Sequence, residues 1–203
     1  MTSKDRVVHP PSGDAIRIGD FYAPPGKLHP RQMIRLRELY PYFDESKRAS
    51  LLIPIVRSKC DVSLRALDWF VVNYAKRRKV VCSGHDESVF TLYKNWLRHF
   101  RRRDFDPFRR RQRIKFKVHD GDWEETTVGQ LNFLKWCETY NVIAQARHNL
   151  GQVEADMTRT LAESKKSRLM CIENGQKKRR TPLTPLTGAK CHVFPIDTTV
   201  EFD

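Results

Sequence analysis

The fold class of this chain is indicated by residues 113–130, whose sequence is RIKFKVHDGDWEETTVGQ. Ile114, Phe116 and Val118 alternate with basic residues, which predicts a strand with one buried face. Asp120-Gly121 is typical of a tight turn, so the residues after it are expected to return as the second strand of a hairpin. This stretch therefore predicts a β-hairpin.

Helices are predicted on both sides of the hairpin. Thr127 and Gln130 match a capping box, in which the Gln130 side chain returns to the cap, and they open a helix that ends near Tyr140. Apolar residues at helical spacing predict three further helices, over residues 63–78, 87–103 and 143–161. The predicted N-caps of the first two are Asp61 or Ser63 and Asp86. The predicted fold class is α+β, with about four helices around a small β-hairpin or sheet and extended N- and C-terminal arms.

The domain organisation follows from weaker signals. Residues 1–29 contain two Pro-Pro pairs and no period, which predicts an extended arm. A short helix is expected after His29-Pro30, and Pro41 stops it. Residues 51–56 have β-type composition, but Pro54 limits them to an edge strand or an extended segment. We therefore expect an arm (1–29), an α+β core domain (30–162), and a basic linker with an extended C-terminal segment (163–203).

Composition excludes some classes of protein. The chain has 203 residues, with 38 Lys and Arg against 24 Asp and Glu, and a formal net charge of +14. Its apolar runs are far shorter than the ~20 residues of a membrane-spanning helix, and residues 1–30 lack the apolar core of a secretory signal. Five cysteines without regular spacing predict reduced thiols in an intracellular compartment. The excess charge predicts polyanionic partners: nucleic acid, acidic proteins or anionic lipid headgroups.

The densest positive charge lies in residues 94–117, which hold eleven basic and two acidic residues. Aromatic residues are interleaved with the arginines, and arginine both forks onto phosphate oxygens and stacks on flat rings. We therefore predict a nucleic-acid or polyanion contact, while an acidic partner protein and a solvated rim over an aromatic core stay open. The predicted contact residues are Arg98, Arg101, Arg102, Arg103, Arg109, Arg110, Arg111, Arg113, Lys115 and Lys117.

A second basic run lies near the C-terminus. It is typical of a nuclear-import signal or a flexible phosphate anchor. Thr181 and Thr184, each followed by Pro, are candidate phosphorylation sites that would partly cancel its charge. The predicted contact residues of this run are Lys177, Lys178, Arg179 and Arg180.

Signatures of catalysis are few. The sequence has no Gly-rich phosphate loop, no Gly-x-Ser-x-Gly elbow and no His-Glu-x-x-His motif. Cys82 and His85 offer two zinc ligands without a second pair at finger-like spacing, so we expect no metal and no cofactor. His99-x-x-Arg102 matches the spacing of tyrosine recombinases, with Tyr140 as a possible nucleophile, but an arginine-rich helix supplies that spacing by chance. We therefore expect a protein that is not an enzyme.

Three sequence blocks stand out together: VNYAK (72–76), FDPFRRR (105–111) and TTVGQLNF (126–133), the last followed by Lys135-Trp136. A helix, a basic helix, a strand pair, a further helix and a Lys/Arg run follow one another in that order. In these features the chain resembles an uncharacterised family of nucleocytoplasmic large DNA viruses, the giant viruses of protists. The resemblance spans roughly Ser63 to Asp203 and leaves residues 1–60 outside. It implies a viral origin and favours a virion part, such as a minor capsid, internal shell or genome-associated protein.

Together these features predict a non-enzymatic basic structural protein of a large DNA virus, either a minor capsid or an internal virion protein. Its expected partners are neighbours in the capsid lattice, double-stranded DNA or both, with no membrane span and no small-molecule substrate. Its expected location is the virion and the cytoplasm or nucleus of the infected cell. The alternative is a DNA-binding transcription regulator in which Gln130, Asn132 and Lys135 read base edges. A recombinase-like or nuclease-like phosphoryl-transfer enzyme is the third hypothesis.

Overall fold

A computed structural model describes residues 8–81, 84, 86–119 and 122–173. This part of the chain contains seven helices, four strands and a 3-10 turn at Arg102–Asp104, which confirms the α+β class with more helices than predicted. The helices are α1 (Pro30–Leu39), α2 (45–56), α3 (64–78), α4 (Val89–His99), α5 (Val128–Thr139), α6 (Val142–His148) and α7 (Leu150–Glu173). The strands are β1 (Ile16–Ile18), β2 (Phe21–Ala23), β3 (Arg113–His119) and β4 (Asp122–Thr127).

The chain divides into two units, Met1–Leu161 and Ala162–Asp203, and every site described below lies in the first. Of the second unit the structure describes residues 162–173, which are helical where a basic linker was predicted. Their Lys, Arg, Glu, Leu and Met residues are good helix formers, which explains the difference. The basic run at 177–180 and the β-type residues 191–202 lie outside the described residues. No helix of the described part is long and apolar enough to cross a membrane.

The sheet is antiparallel throughout, in the order β1-β2-β3-β4. Strands β3 and β4 confirm the predicted strand pair, although its expected turn at residues 120–121 lies outside the described residues. Ile114 and Phe116 are fully buried on one face of β3, as their alternation predicts. The sheet thus covers one side of the hydrophobic core.

The prediction of an extended arm over residues 1–29 is wrong for residues 16–23, which form β1 and β2. Gly19 has a φ of 57°, and this left-handed conformation allows a two-residue turn between the strands. Phe21 pairs with Phe116 of β3, and both Phe21 and Ala23 are fully buried. Core packing therefore stabilises two strands of three residues each, which are too short for a pattern of alternation to predict.

Helix α5 is the centre of the hydrophobic core, with eight of its twelve residues buried. The hydroxyl of Thr127 accepts a hydrogen bond from the Gln130 N–H at 3.2 Å, which confirms the predicted cap. The Gln130 side chain does not complete the capping box, because its Oε1 accepts from the Thr126 hydroxyl at 3.0 Å instead. Since nearly every face of α5 is buried, this helix is structural.

Residues 51–56 belong to helix α2, and the prediction of an edge strand or an extended segment there is wrong. Helix α2 widens into a π-helical turn at Arg48–Leu52 before the α-helical residues Ile53–Val56. Pro54 is tolerated because it stands at the start of the α-helical segment, where its missing N–H costs little. Leu52 is fully buried, so packing against the core selects the helix over the strand.

Two predicted helices have different bounds in the structure. Helix α4 begins after Ser88, whose hydroxyl accepts from the Thr91 N–H at 3.1 Å, rather than after Asp86, and it ends at His99. The predicted helix over 143–161 is divided at Asn149, whose side-chain amide donates to the Gln145 carbonyl at 2.8 Å. This bond satisfies a carbonyl at the end of α6 and separates it from α7.

Candidate nucleic-acid interface

The arginine-rich stretch has four parts in the structure. Its helical half (residues 94–103) includes the end of α4 and the start of the 3-10 turn. A bend (104–108) and a connecting segment (109–111) lead to its strand half (113–117) in β3. The bend joins the helical half to the hairpin. The Asp106 carboxylate accepts from the Phe108 N–H at 2.9 Å and closes a local turn there.

The bend is anchored in the hydrophobic core by Phe105, which is 1% exposed. Its ring centroid lies 5.7 Å from that of Phe133 and 5.8 Å from that of Trp136, both on α5. The Asn132 Nδ2 donates to the Asp104 carbonyl at 2.9 Å, also from α5. Because the bend is held on the buried helix, the helical and strand halves keep fixed positions on either side of it.

The predicted contact residues differ in exposure. The described exposed ones are Arg98, Arg101, Arg102, Arg110, Arg111 and Lys117, and the half-buried ones are Arg103, Arg109, Arg113 and Lys115. The second run, Lys177, Lys178, Arg179 and Arg180, lies outside the described residues.

In the strand half, intramolecular partners occupy two of the basic side chains. Arg113 Nη1 lies 3.1 Å from the Glu125 carboxylate on the neighbouring strand β4. Lys115 Nζ donates to the backbone carbonyl of His9 at 2.9 Å and approaches that of Pro10 at 3.3 Å. The N-terminal segment therefore covers part of the charge on this side of the sheet.

The helical half and the connecting segment have few such partners. Arg103 Nε is 3.8 Å from the Asp104 carboxylate. Within the described part of the chain, no carboxylate lies within ion-pair distance of the remaining arginines, which are Arg98, Arg101, Arg102, Arg109, Arg110 and Arg111.

Arginines elsewhere in the fold do find carboxylates. The Arg48 guanidinium lies 2.6 Å from the Asp20 carboxylate. The guanidinium of Arg57, the residue after α2, lies 2.5 and 2.6 Å from two carboxylates of β4. Arg147 forms a bidentate pair with Asp61. The fold thus has carboxylates that pair with arginine, but they do not reach the exposed arginines of the stretch.

A cleft of about 800 Å³ opens between α3, α4 and the bend. Lys76 of α3, Lys94 of α4 and Arg102 of the 3-10 turn line it together. Sequence analysis did not place Lys76 with the arginine-rich stretch. The available signal was the basic last turn of α3, which the cleft brings beside α4.

The cleft also holds two carboxylates, Asp68 and Asp106. Burial, and then repulsion by Asp106, raises the pKa of Asp68 to about 6, while Arg102 opposes the shift. Burial likewise raises the pKa of Tyr93 to about 12, and the same two carboxylates add to it. Asp68 has no hydrogen-bond or ion-pair partner in the described residues. A carboxylate that is largely ionised at neutral pH thus lies unpaired in a basic cleft.

A second groove, of about 550 Å³, lies on the sheet side of the stretch. Arg110, Arg113 and Lys115 line it with residues of the N-terminal segment. Gln112 Nε2 donates to the Lys27 carbonyl at 3.1 Å across this region. The chain itself therefore supplies partners on this side, in contrast to the cleft.

The sequence also raises a base-reading set on α5, a recombinase-like pair and a pair of possible zinc ligands. Asn132 is 3% exposed and bonded to the bend, so α5 does not present it to base edges. His99 lines a cavity beside α1, and Arg102 lines the cleft between α3, α4 and the bend. Cys82 and His85 lie outside the described residues, and within those residues no three His, Cys, Asp or Glu side chains cluster as metal ligands.

Comparison with known proteins places the chain among viral sequences. Residues 29–182 match the family of unknown function DUF7197. The uncharacterized protein L507 of Acanthamoeba polyphaga mimivirus is 28% identical over 154 residues, which cover 70% of this chain and 60% of the relative. The chain thus matches less than two thirds of that relative's length. No solved structure is significantly similar to it.

The mimivirus relative confirms the resemblance to a giant-virus family and supports a viral origin. The family match begins at residue 29, earlier than the resemblance from Ser63 indicated, and ends at residue 182. Helices α1 to α7, the strand pair and all residues that line the cleft fall inside it. Because this match covers well over half of the sequence, the chain belongs to the family of unknown function DUF7197.

Proposed function

We propose that this chain is a non-enzymatic nucleic-acid-binding protein of a large DNA virus, which contacts phosphate through the exposed arginines of residues 98–111. Its expected setting is the virion, and the cytoplasm or nucleus of the infected cell before assembly. Double-stranded viral DNA is the primary partner in this proposal. Capsid neighbours with acidic surfaces are the competing partner that the experiment below separates.

The observation that carries the proposal is the group of exposed arginines that have no carboxylate partner among the described residues. Neighbouring guanidinium groups repel one another, and a binding partner that supplies negative charge relieves that repulsion. Carboxylates are available to Arg48, Arg57 and Arg147 elsewhere in the same fold. The arginines of the stretch are thus available to an external anion.

Two further features favour nucleic acid as that anion. Arginine forks bind phosphate oxygens bidentately. Phe108, which is 46% exposed at the bend, adds a flat ring on which a base can stack. Asn132 on helix α5 is buried, so it does not reach a base edge. This favours contact with phosphate over the base-specific recognition expected of a transcription regulator.

The experiment is a salt titration of binding to duplex DNA. One variant carries Arg98, Arg101, Arg102, Arg110 and Arg111 changed to Ala. A control variant loses the same number of exposed charges outside the stretch: Arg17, Arg37, Lys59, Lys165 and Lys166 changed to Ala. We expect the first variant to flatten the plot of log K against log salt by ~0.9 for each lost phosphate contact, and the control to change it much less.

The outcomes separate the two partners. A flatter slope that is specific to the first variant supports the phosphate contact. If both variants change the slope equally, the DNA interface is not at these arginines and the proposal fails. If wild-type binding is lost at moderate salt and both variants behave like wild type, the arginines belong to a protein contact in the capsid.

A further inference from the structure

The cleft between α3, α4 and the bend has a composition that phosphate contact alone does not explain. Its cations attract an anion, yet it also contains the unpaired Asp68 carboxylate. We propose that this cleft binds one unpaired nucleotide of a single strand, with its phosphate at Lys76, Lys94 and Arg102 and the amino group of its base at Asp68. This inference rests on the proposed nucleic-acid binding and names the part of the ligand that enters the cleft.

The size and lining of the cleft suit a nucleotide. Its volume of about 800 Å³ falls in the usual range of small-molecule sites. Polar side chains come from three elements, so a ligand meets both charge and hydrogen-bonding groups. The apolar and aromatic residues that line it are Val72, Phe90, Tyr93, Leu97, Phe105, Pro107 and Phe108.

The cations are free to meet a phosphate. Lys94 and Arg102 are exposed and have no ion pair with any described carboxylate. Lys76 is exposed and its Nζ lies 5.3 Å from the centre of the Phe90 ring, a weak contact that a phosphate can outcompete. Arg77, by contrast, is paired with Asp156 and is not needed by the proposal.

Asp68 distinguishes a nucleotide from other anions. An ionised carboxylate only accepts hydrogen bonds, and it repels an inorganic phosphate or an acidic peptide. A nucleotide carries its negative charge at one end and hydrogen-bond donors on its base at the other. Cytosine offers an exocyclic amino group to a carboxylate, whereas thymine has an oxygen at the same position.

The cleft also favours an unpaired base over a duplex. In a duplex the base edges are paired and stacked, and an unpaired base exposes both its edge and its flat face. Phe108 is half-exposed at the bend and also lines this cleft, so it can stack on an entering base. Phe105, which also lines the cleft, is buried and packs against Phe133 and Trp136 of α5.

The experiment compares oligodeoxycytidylate and oligodeoxythymidylate strands of equal length, which carry the same charge. We expect wild type to bind the cytidylate strand ~10-fold more tightly, the discrimination typical of a good base contact. Asp68→Asn should remove this preference, because an amide donates to the thymine oxygen as well as accepting. The matched control Asp14→Asn, at an exposed position outside the cleft, should keep it.

A second variant tests the stacking face. Phe108→Ala should weaken the binding of both strands by ~10-fold and leave their ratio unchanged. Because the Phe108 ring is exposed, this change is not expected to unfold the chain.

Two results would overturn the inference in different ways. If wild type and Asp68→Asn bind both strands equally, while duplex binding still depends on the exposed arginines, the nucleotide site is excluded and the proposed function stands. If wild type binds neither strand nor duplex at moderate salt, both proposals fail.

Discussion

The helical half and the strand half of the arginine-rich stretch carry similar charge and differ in what surrounds it. In the strand half, Arg113 lies 3.1 Å from Glu125, and Lys115 donates to a backbone carbonyl of the N-terminal segment. In the helical half, Arg98 and Arg102 have no carboxylate at ion-pair distance among the described residues. A count of charges along the sequence treats the two halves alike, but their availability to a partner differs.

The difference originates in the neighbouring elements. Strand β3 pairs with β4, which contributes Asp122, Glu124 and Glu125, and the register sets Lys115 opposite Glu125. Helix α4 instead meets the end of α3, whose last turn is basic. Carboxylates of β4 thus lie beside the strand half, and one of them is paired with Arg113. Beside the helical half lie further cations together with Asp68 and Asp106, and among the described residues neither carboxylate is within ion-pair distance of Lys94 or Arg102.

The largest expected effect concerns the stability of the bend between the two halves. Phe105→Ala removes a fully buried ring from the bend and should lower the free energy of unfolding by ~3–5 kcal/mol. Urea denaturation measures this loss. The neighbouring Phe108→Ala, at an exposed ring, is the control and should cost far less. Equal losses would show that the bend is not anchored through Phe105.

The second prediction compares the halves directly. Changing Lys94, Arg98 and Arg102 to Ala should flatten the salt dependence of duplex binding by up to ~0.9 for each residue. Changing Arg113, Lys115 and Lys117 to Ala removes as many charges and should flatten it less, because intramolecular partners already hold Arg113 and Lys115. Binding measured over a series of salt concentrations checks this. A larger change of slope for the strand-half variant would contradict the expectation that the helical half is more available to DNA.

The third prediction concerns the carboxylate that lies beside the helical half. Burial and the charge of Asp106 raise the pKa of Asp68 to about 6, against the opposing charge of Arg102 and beside the neutral Tyr93. The folded chain therefore holds this proton more tightly than the unfolded chain. The resulting stability is complete below the unfolded pKa and is lost as pH rises through about 6.

Asp68→Asn, which cannot ionise, should remove this loss and make the variant more stable than wild type above that pH. Urea midpoints measured from acid to neutral pH test the prediction. Parallel pH profiles for wild type and variant would contradict it.

The smallest expected effect concerns the ion pair of the strand half. Glu125→Gln weakens the partner of Arg113 and should cost no more than ~1 kcal/mol of stability, as is usual for an ion pair near the surface. It should also strengthen duplex binding slightly, because the charge of Arg113 becomes available. Weaker DNA binding by this variant would contradict the idea that β4 neutralises β3.

The elements with complete local signals were predictable from the sequence. The alternation in β3, the cap at Thr127 and the apolar periodicity of α3 each lie within one element, and the structure confirms them. Strands β1 and β2 were not predictable, since three residues carry too little pattern and their stability comes from β3 and the core. Helix α2 was missed because Pro54 disfavours a regular helix, which the π-helical turn accommodates.

The candidate site, too, could be predicted only in part from the sequence. The exposed arginines are contiguous in sequence, so composition alone pointed to them. The cleft is not visible in the sequence, because Asp68 and Lys76 on α3 are distant along the chain from Lys94 and Arg102. Only the packing of α3 on α4 brings these side chains together.

By itself the sequence determined the α+β class, the strand pair, the central helix, the basic character and the likeness to a giant-virus family, because local patterns carry all of these. Within the part of the chain that the structure describes, the tertiary structure alone decided which arginines have no carboxylate partner and that Asp68 lies without an ion pair among cations. The physical reason is that ion pairing and desolvation depend on distances between elements, and those distances exist only once the chain is folded.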